Sequence, residues 1–125
     1  MRSGFFILAC ISGFLATALG AFGSHGLKTI ASAEMINIYE LSVQYHFYHT
    51  FALLAVAIAG NWVRSSWLDY SAYSFLAGIG LFSGSLYAYV LTGTHWLAML
   101  TPLGGMCFLV GWSLLAVSVW QTHSN

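Results

Sequence analysis

Gln44-Tyr45-His46-Phe47-Tyr48-His49 sets an amide, two phenols and two imidazoles side by side at the head of a long apolar run. The whole chain of 125 residues has only three Lys or Arg and three Asp or Glu, so this much polar chemistry in one place needs a reason. It is either hydrogen-bonding glue between helices or a ligand site. The run it opens, residues 43–63, is what decides the fold. A helix needs about 20 predominantly apolar residues to cross about 30 Å of hydrocarbon, and this run supplies them.

Three more runs of the same kind flank it, at 4–22, 70–91 and 102–120. The chain is 59% hydrophobic and 5% charged. Soluble domains carry about 25% charged residues, so no water-facing surface can be assembled from this composition. The expectation is an all-α fold, an integral membrane four-helix bundle forming a single polytopic domain over 1–125, with the lipid bilayer as its partner. The N-terminal run exceeds the 7–15 residues of a signal-peptide core, which favours an uncleaved first helix. A formal net charge of zero gives no electrostatic case for nucleic acid. Cys10 and Cys107 both fall in apolar runs and read as small hydrophobes.

Between helices 1 and 2, residues 28–42 form a short amphipathic segment. Glu34, Asn37, Glu40 and Gln44 recur at helical spacing along one stripe, the pattern of a solvated face leading into helix 2. Small residues mark the packing faces that let helices approach in lipid: Gly13 and Gly20 on helix 1, Gly80 and Gly84 on helix 3, Gly104 and Gly105 on helix 4. Gly23 and Gly26 allow positive φ and a break after helix 1. Thr101-Pro102 reads as an N-cap followed by a first-turn proline. Gly23-Ser24-His25-Gly26-Leu27 is echoed by Gly93-Thr94-His95-Trp96-Leu97, as an ancient duplication of a helical hairpin would leave it.

With four spans, the termini share one side with Arg64 and Arg2, against Lys28 alone on the other. The positive-inside rule then puts the termini in the cytoplasm. The same threading gathers His25, His46, His49 and His95 into the opposite half. Helical geometry turns His46, His49, Ser42 and Tyr45 to one side and Gln44 and Tyr48 to another. The two imidazoles, with a third ligand from His25 or else His95, form a candidate metal set (His25, His46, His49), since neutral imidazole is the commonest nitrogen ligand. Haem or quinone binding are related possibilities, while interhelical glue is the ordinary role of such groups. No cofactor is otherwise expected. No nucleophile–base–acid set emerges from the spacing, so an enzyme is the less favoured class.

Gly20-Ala21-Phe22-Gly23-Ser24-His25-Gly26-Leu27 and Val43-Gln44-Tyr45-His46-Phe47-Tyr48-His49 resemble hallmarks of the domain-of-unknown-function-423 membrane proteins. Leu81-Phe82-Ser83-Gly84-Ser85-Leu86-Tyr87, Thr101-Pro102-Leu103-Gly104-Gly105 and Gly111-Trp112 resemble its later motifs, in order and over nearly the whole chain. The resemblance implies a small bacterial inner-membrane protein of four spans, similar to eukaryotic transmembrane protein 256, and brings no activity, cofactor or catalytic residue. The expected function is therefore a non-enzymatic structural or accessory membrane component, working as a homo-oligomer or within a larger membrane complex, with ligand binding at the histidines as the alternative.

Overall fold

The computed structural model describes residues 2–124, and among them every regular element is helical. Helix α1 covers Ser3–His25 and α2 covers Ala33–Ala59, joined through a short 3-10 turn at Leu27–Thr29. Helix α3, Ser66–Gly78, passes through a π-helical turn at Ile79–Gly84 into α4, Ser85–Thr92. A second 3-10 segment, His95–Leu100, leads into α5, Thr101–Ser124. The result is four long rods, α3 and α4 making one. Three of the four are long and apolar enough to cross a membrane: Ser3–Thr29, Ser66–Thr92 and His95–His123.

The rod outside that set is α2, and its residues explain why. The amphipathic segment is not a separate piece, because Ser32 accepts a hydrogen bond from the Met35 amide and starts one helix of 27 residues. At about 1.5 Å per residue that is about 40 Å of rod. Its first turns carry the polar stripe, and Glu34, Asn37, Glu40 and Gln44 are all exposed. Its middle carries Ser42, His46, His49 and Thr50, all buried. Those groups lower the mean hydropathy of the helix yet face inward.

Helix α2 holds the bundle together. It packs against α1 on one side and against α3, the π turn and α4 on the other, while α5 packs against α3 and the π turn. The core between them is apolar, built from Ala9, Leu53, Val56, Leu68, Phe75 and Phe108. Burial of side chains such as Leu53 and Phe75, both 0% exposed, gives this layer dense contact.

Several local expectations need correction. Helix α1 continues to His25, and Gly26 ends it at φ −96° without a left-handed residue. The one positive-φ glycine among the described residues is Gly93 (φ 70°), which ends α4. Gly23 is instead buried inside α1, where an added Cβ would meet the Tyr39 ring at 2.6 Å. The two echoed pentapeptides therefore have different backbones. Thr101 is already helical (φ −58°, ψ −46°), and its hydroxyl bonds Ser85 Oγ across the bundle at 3.0 Å rather than capping α5. The break between the two rods lies at Gly93, ahead of the continuous helical stretch His95–His123, and not at the threonine.

The packing glycines divide. A Cβ on Gly13 would touch Thr50 at 3.6 Å and one on Gly20 would touch Val43 at 3.4 Å, so both lie on the α1–α2 contact. Gly104 meets the backbone of Leu81 and Phe82 directly, and Gly105 lies beside the Phe82 ring at 4.0 Å. Gly80 faces open space, and Gly84 has only the Ile79 carbonyl at 3.8 Å. The GxxxG pair of the third rod is thus not a close-packing face within the protomer. Gly78 and Gly111 are, seated against the rings of Phe108 and Phe75.

Candidate functional site

His46 and His49 lie on one turn of α2 and point inward, 4% and 5% exposed, while Gln44 and Tyr48 point outward. All four ring nitrogens are engaged. His46 Nδ1 is 2.9 Å from the Tyr87 hydroxyl on α4, and Nε2 is 3.0 Å from Ser12 Oγ on α1. His49 Nδ1 is 2.8 Å from the Tyr45 carbonyl, and Nε2 is 3.2 Å from the indole nitrogen of Trp112 on α5. One turn of α2 thereby reaches each of the other three rods.

Counting hydrogens assigns the tautomers. A carbonyl only accepts and an indole N–H only donates, so His49 carries its proton on Nδ1 and accepts from Trp112 on Nε2. For His46 the argument runs through two hydroxyls. Thr50 Oγ1 lies 2.9 Å from the His46 carbonyl, to which it must donate its single hydrogen. Ser12, 2.5 Å from Thr50 Oγ1, then donates to Thr50. Ser12 can therefore only accept from His46, which carries its proton on Nε2 and accepts from Tyr87 on Nδ1. The opposite arrangement sacrifices the Thr50–carbonyl bond, worth about 1 kcal/mol net. The two imidazoles are thus held as opposite neutral tautomers.

That direction bears on chemistry. Ser12, His46 and Tyr87 bring a hydroxyl, an imidazole and an orienting group together, a set that spacing alone did not reveal. A nucleophilic serine must give its hydrogen to an imidazole nitrogen that accepts it. Here Nε2–H donates to Ser12, and the serine hydrogen goes to Thr50. The arrangement is that of a structural hydrogen-bond ring closing on the His46 carbonyl.

Aromatic contacts finish the site. The His49 ring stacks on Phe108 with centroids 3.4 Å apart and planes 6° apart, and Tyr45 stacks on Phe82 at 4.7 Å. Among the described residues no buried side-chain nitrogen or oxygen lacks a partner. An apolar groove of ≈ 320 Å³ runs beside the ring, walled by Leu8, Ile11 and Leu15 on one side and Gly80 and Gly84 on the other, with His46 and Tyr87 at its base.

The candidate metal set His25, His46, His49 is not brought together. His25 is exposed at the end of α1, and among the described residues no group of three His, Cys, Asp or Glu side chains converges as a metal site. His95 is likewise exposed, its ring beside Tyr89. The residues that sequence reading missed are Ser12, Thr50 and Trp112. Ser12 stands beside Gly13 in the small-residue run of α1, and its hydroxyl is the signal that could have marked it.

Comparison with known proteins gives a consistent picture. The family model described as "Protein of unknown function (DUF423)" matches residues 19–105. The chain is 38% identical over 125 residues to the UPF0382 membrane protein of Haemophilus influenzae, covering 99% of each chain. It is 44% identical over 112 residues to the UPF0382 inner membrane protein YgdD of Escherichia coli K12, covering 89% of this chain and 85% of the relative. It is 38% identical to the UPF0382 membrane protein YwdK of Bacillus subtilis, covering 91% and 94%. No solved structure matches the chain.

Proposed function

Since the chain belongs to the DUF423 family, we propose that it is a four-span inner-membrane protein acting as a non-enzymatic structural or accessory component of the envelope or of a membrane assembly. The inner-membrane location comes from the name of the Escherichia coli relative. Counting α2 as the fourth span rests on its burial: its polar middle faces the other rods, where hydrogen bonds offset the cost of taking such groups into hydrocarbon. The termini and the Arg64 turn are placed on the cytoplasmic side by the positive-inside rule.

The observation that carries the reading is the one-way hydrogen-bond ring around His46. Its hydrogens are all spent between the protein's own helices, which is what a rigid scaffold requires and what a catalytic serine forbids. The outer faces of α1 and α5, with Ile11, Phe14, Met106 and Leu109 exposed, suit contact with lipid or with other membrane helices. Reporter fusions after Lys28, Arg64, Thr94 and the C-terminus test the topology, with the second and fourth expected in the cytoplasm. Native mass measurement in several mild detergents tests the assembly role. A monomer in all of them would argue against it.

A second reading, binding of a quinone-type ligand, is favoured only by the groove at whose base His46 and Tyr87 lie. It requires an added quinone to perturb the His46 ring signals, and unchanged signals would remove it.

A further inference from the structure

At one end of the bundle, away from the histidine ring at mid-helix, α1 begins, α2 ends and α3 begins around a polar cleft of ≈ 460 Å³ lined by Arg2, Gly60, Asn61, Arg64, Ser66 and Asp69. Two of the chain's three Lys and Arg side chains meet there, against a single carboxylate. The other end carries Lys28 with Glu34 and Glu40, so the two ends have opposite net charge.

The cleft is built rather than incidental. The Arg2 amide donates to the Ala57 carbonyl at 3.0 Å, and its side chain lies so close to Gly60 that an added Cβ would meet its Cγ at 2.7 Å. Its Nε donates to Asp69 Oδ1 at 2.8 Å, a one-point contact that uses one of the five N–H donors of the guanidinium. The Arg64 amide is held by Thr122 Oγ1 at 3.4 Å and neighbouring Ser65 bonds Gln121 at 2.9 Å, so α5 pins the turn while the Arg64 side chain stays exposed. Trp62, Trp67 and Trp120 are exposed around the same end, the aromatic girdle of a helix bundle at headgroup depth.

We propose that this cleft binds the phosphate of an anionic phospholipid, with Arg64 as the main contact and the free face of Arg2 as the second. Guanidinium groups suit phosphate geometrically, and basic pockets between transmembrane helices on the cytoplasmic side recognise anionic headgroups by this chemistry. Tryptophans at the rim place the diester where a lipid, rather than soluble phosphate, supplies it. Asp69 holds Arg2 in position and also disfavours a second anion. The inference rests on the four-span membrane reading.

The test uses the full chain in mild detergent, with native mass spectrometry of lipid adducts. Probes are phosphatidylglycerol, a diacylglycerol with the same tails, and inorganic phosphate alone. Wild type is expected to retain one phosphatidylglycerol and no diacylglycerol. Arg64→Gln should retain it about fivefold less well, on the scale of one basic side chain at a membrane surface. Arg64→Lys should retain most binding, and Lys28→Gln all of it. Equal retention by Arg64→Gln and wild type, or equal retention of diacylglycerol, overturns the proposal. Saturable Arg64-dependent binding of inorganic phosphate in lipid-free protein overturns the lipid assignment. Loss of headgroup preference with the reporter topology intact defeats this inference alone, whereas a failed topology defeats the reading beneath it.

Discussion

Ser42 and Ser83 exchange hydrogen bonds: each hydroxyl donates to the other's main-chain carbonyl, at 2.9 Å in both directions. Ser83 lies in the π turn Ile79–Gly84, where the helical ladder shifts register and leaves main-chain acceptors open to other donors. Both side chains are 0% exposed, so the pair clamps α2 to the third rod at the depth of the histidine ring.

Each serine changed to alanine should therefore cost about 0.6–1.7 kcal/mol of bundle stability, from the average to the upper end of what double-mutant cycles give for interhelical hydrogen bonds in membranes. Losing one bond lets the helices part and weakens the other, so the double variant should lose about 0.5 kcal/mol less than the two singles together. Equilibrium unfolding in mixed micelles reads this cycle. Strict additivity would mean the two bonds are independent.

The tautomers are directly measurable. Nitrogen-15 spectra of labelled imidazoles should place the His46 proton on Nε2 and the His49 proton on Nδ1, both rings neutral. A His46 ring protonated on Nδ1 would reverse the hydrogen-bond ring and reopen Ser12 as a nucleophile.

Replacing His46 by leucine should cost about 2–4 kcal/mol, combining two lost bonds with a buried Tyr87 hydroxyl left without its acceptor. Adding Tyr87→Phe removes that orphan and should restore about 1 kcal/mol. No recovery in the double variant would show that Tyr87 is not the donor to His46. Thermal unfolding in detergent is sufficient to compare the two.

Glycines of equal appearance in sequence should behave oppositely. Gly104→Ala pushes a Cβ into the backbone of Leu81 and Phe82, which cannot rotate away, at a cost of about 1–3 kcal/mol. Gly80→Ala meets nothing within 4 Å and should be neutral or slightly stabilising. Equal losses at both positions would indicate that Gly80 packs against a second copy of the chain, a result that native mass would register independently.

How much of this was legible beforehand follows from what each signal depends on. Helical angle alone separated His46 and His49 from Gln44 and Tyr48; that the imidazole side is the buried one came only from the packed structure. The exposed stripe of Glu34, Asn37, Glu40 and Gln44 came from the same periodicity. The three-histidine set failed because topology assigns residues to an end of the bundle and says nothing of distance across it. Gly80 and Gly84 show a related limit: their spacing marks a face of the helix, and only packing shows that α5 meets the turn at Leu81 and Phe82 instead.

The sequence by itself determined that this chain is helical and belongs in lipid, which residues lie at which end, and which face of α2 carries the imidazoles. These are one-dimensional properties of composition and period. Only the tertiary structure decided what Gln44-Tyr45-His46-Phe47-Tyr48-His49 does. A neutral imidazole can hold its proton on either nitrogen, and that choice depends on whether the hydroxyl beside it has already given its hydrogen away. Ser12 has given its own to Thr50, a partner 38 positions distant in sequence, and that contact exists only after α1 and α2 have packed.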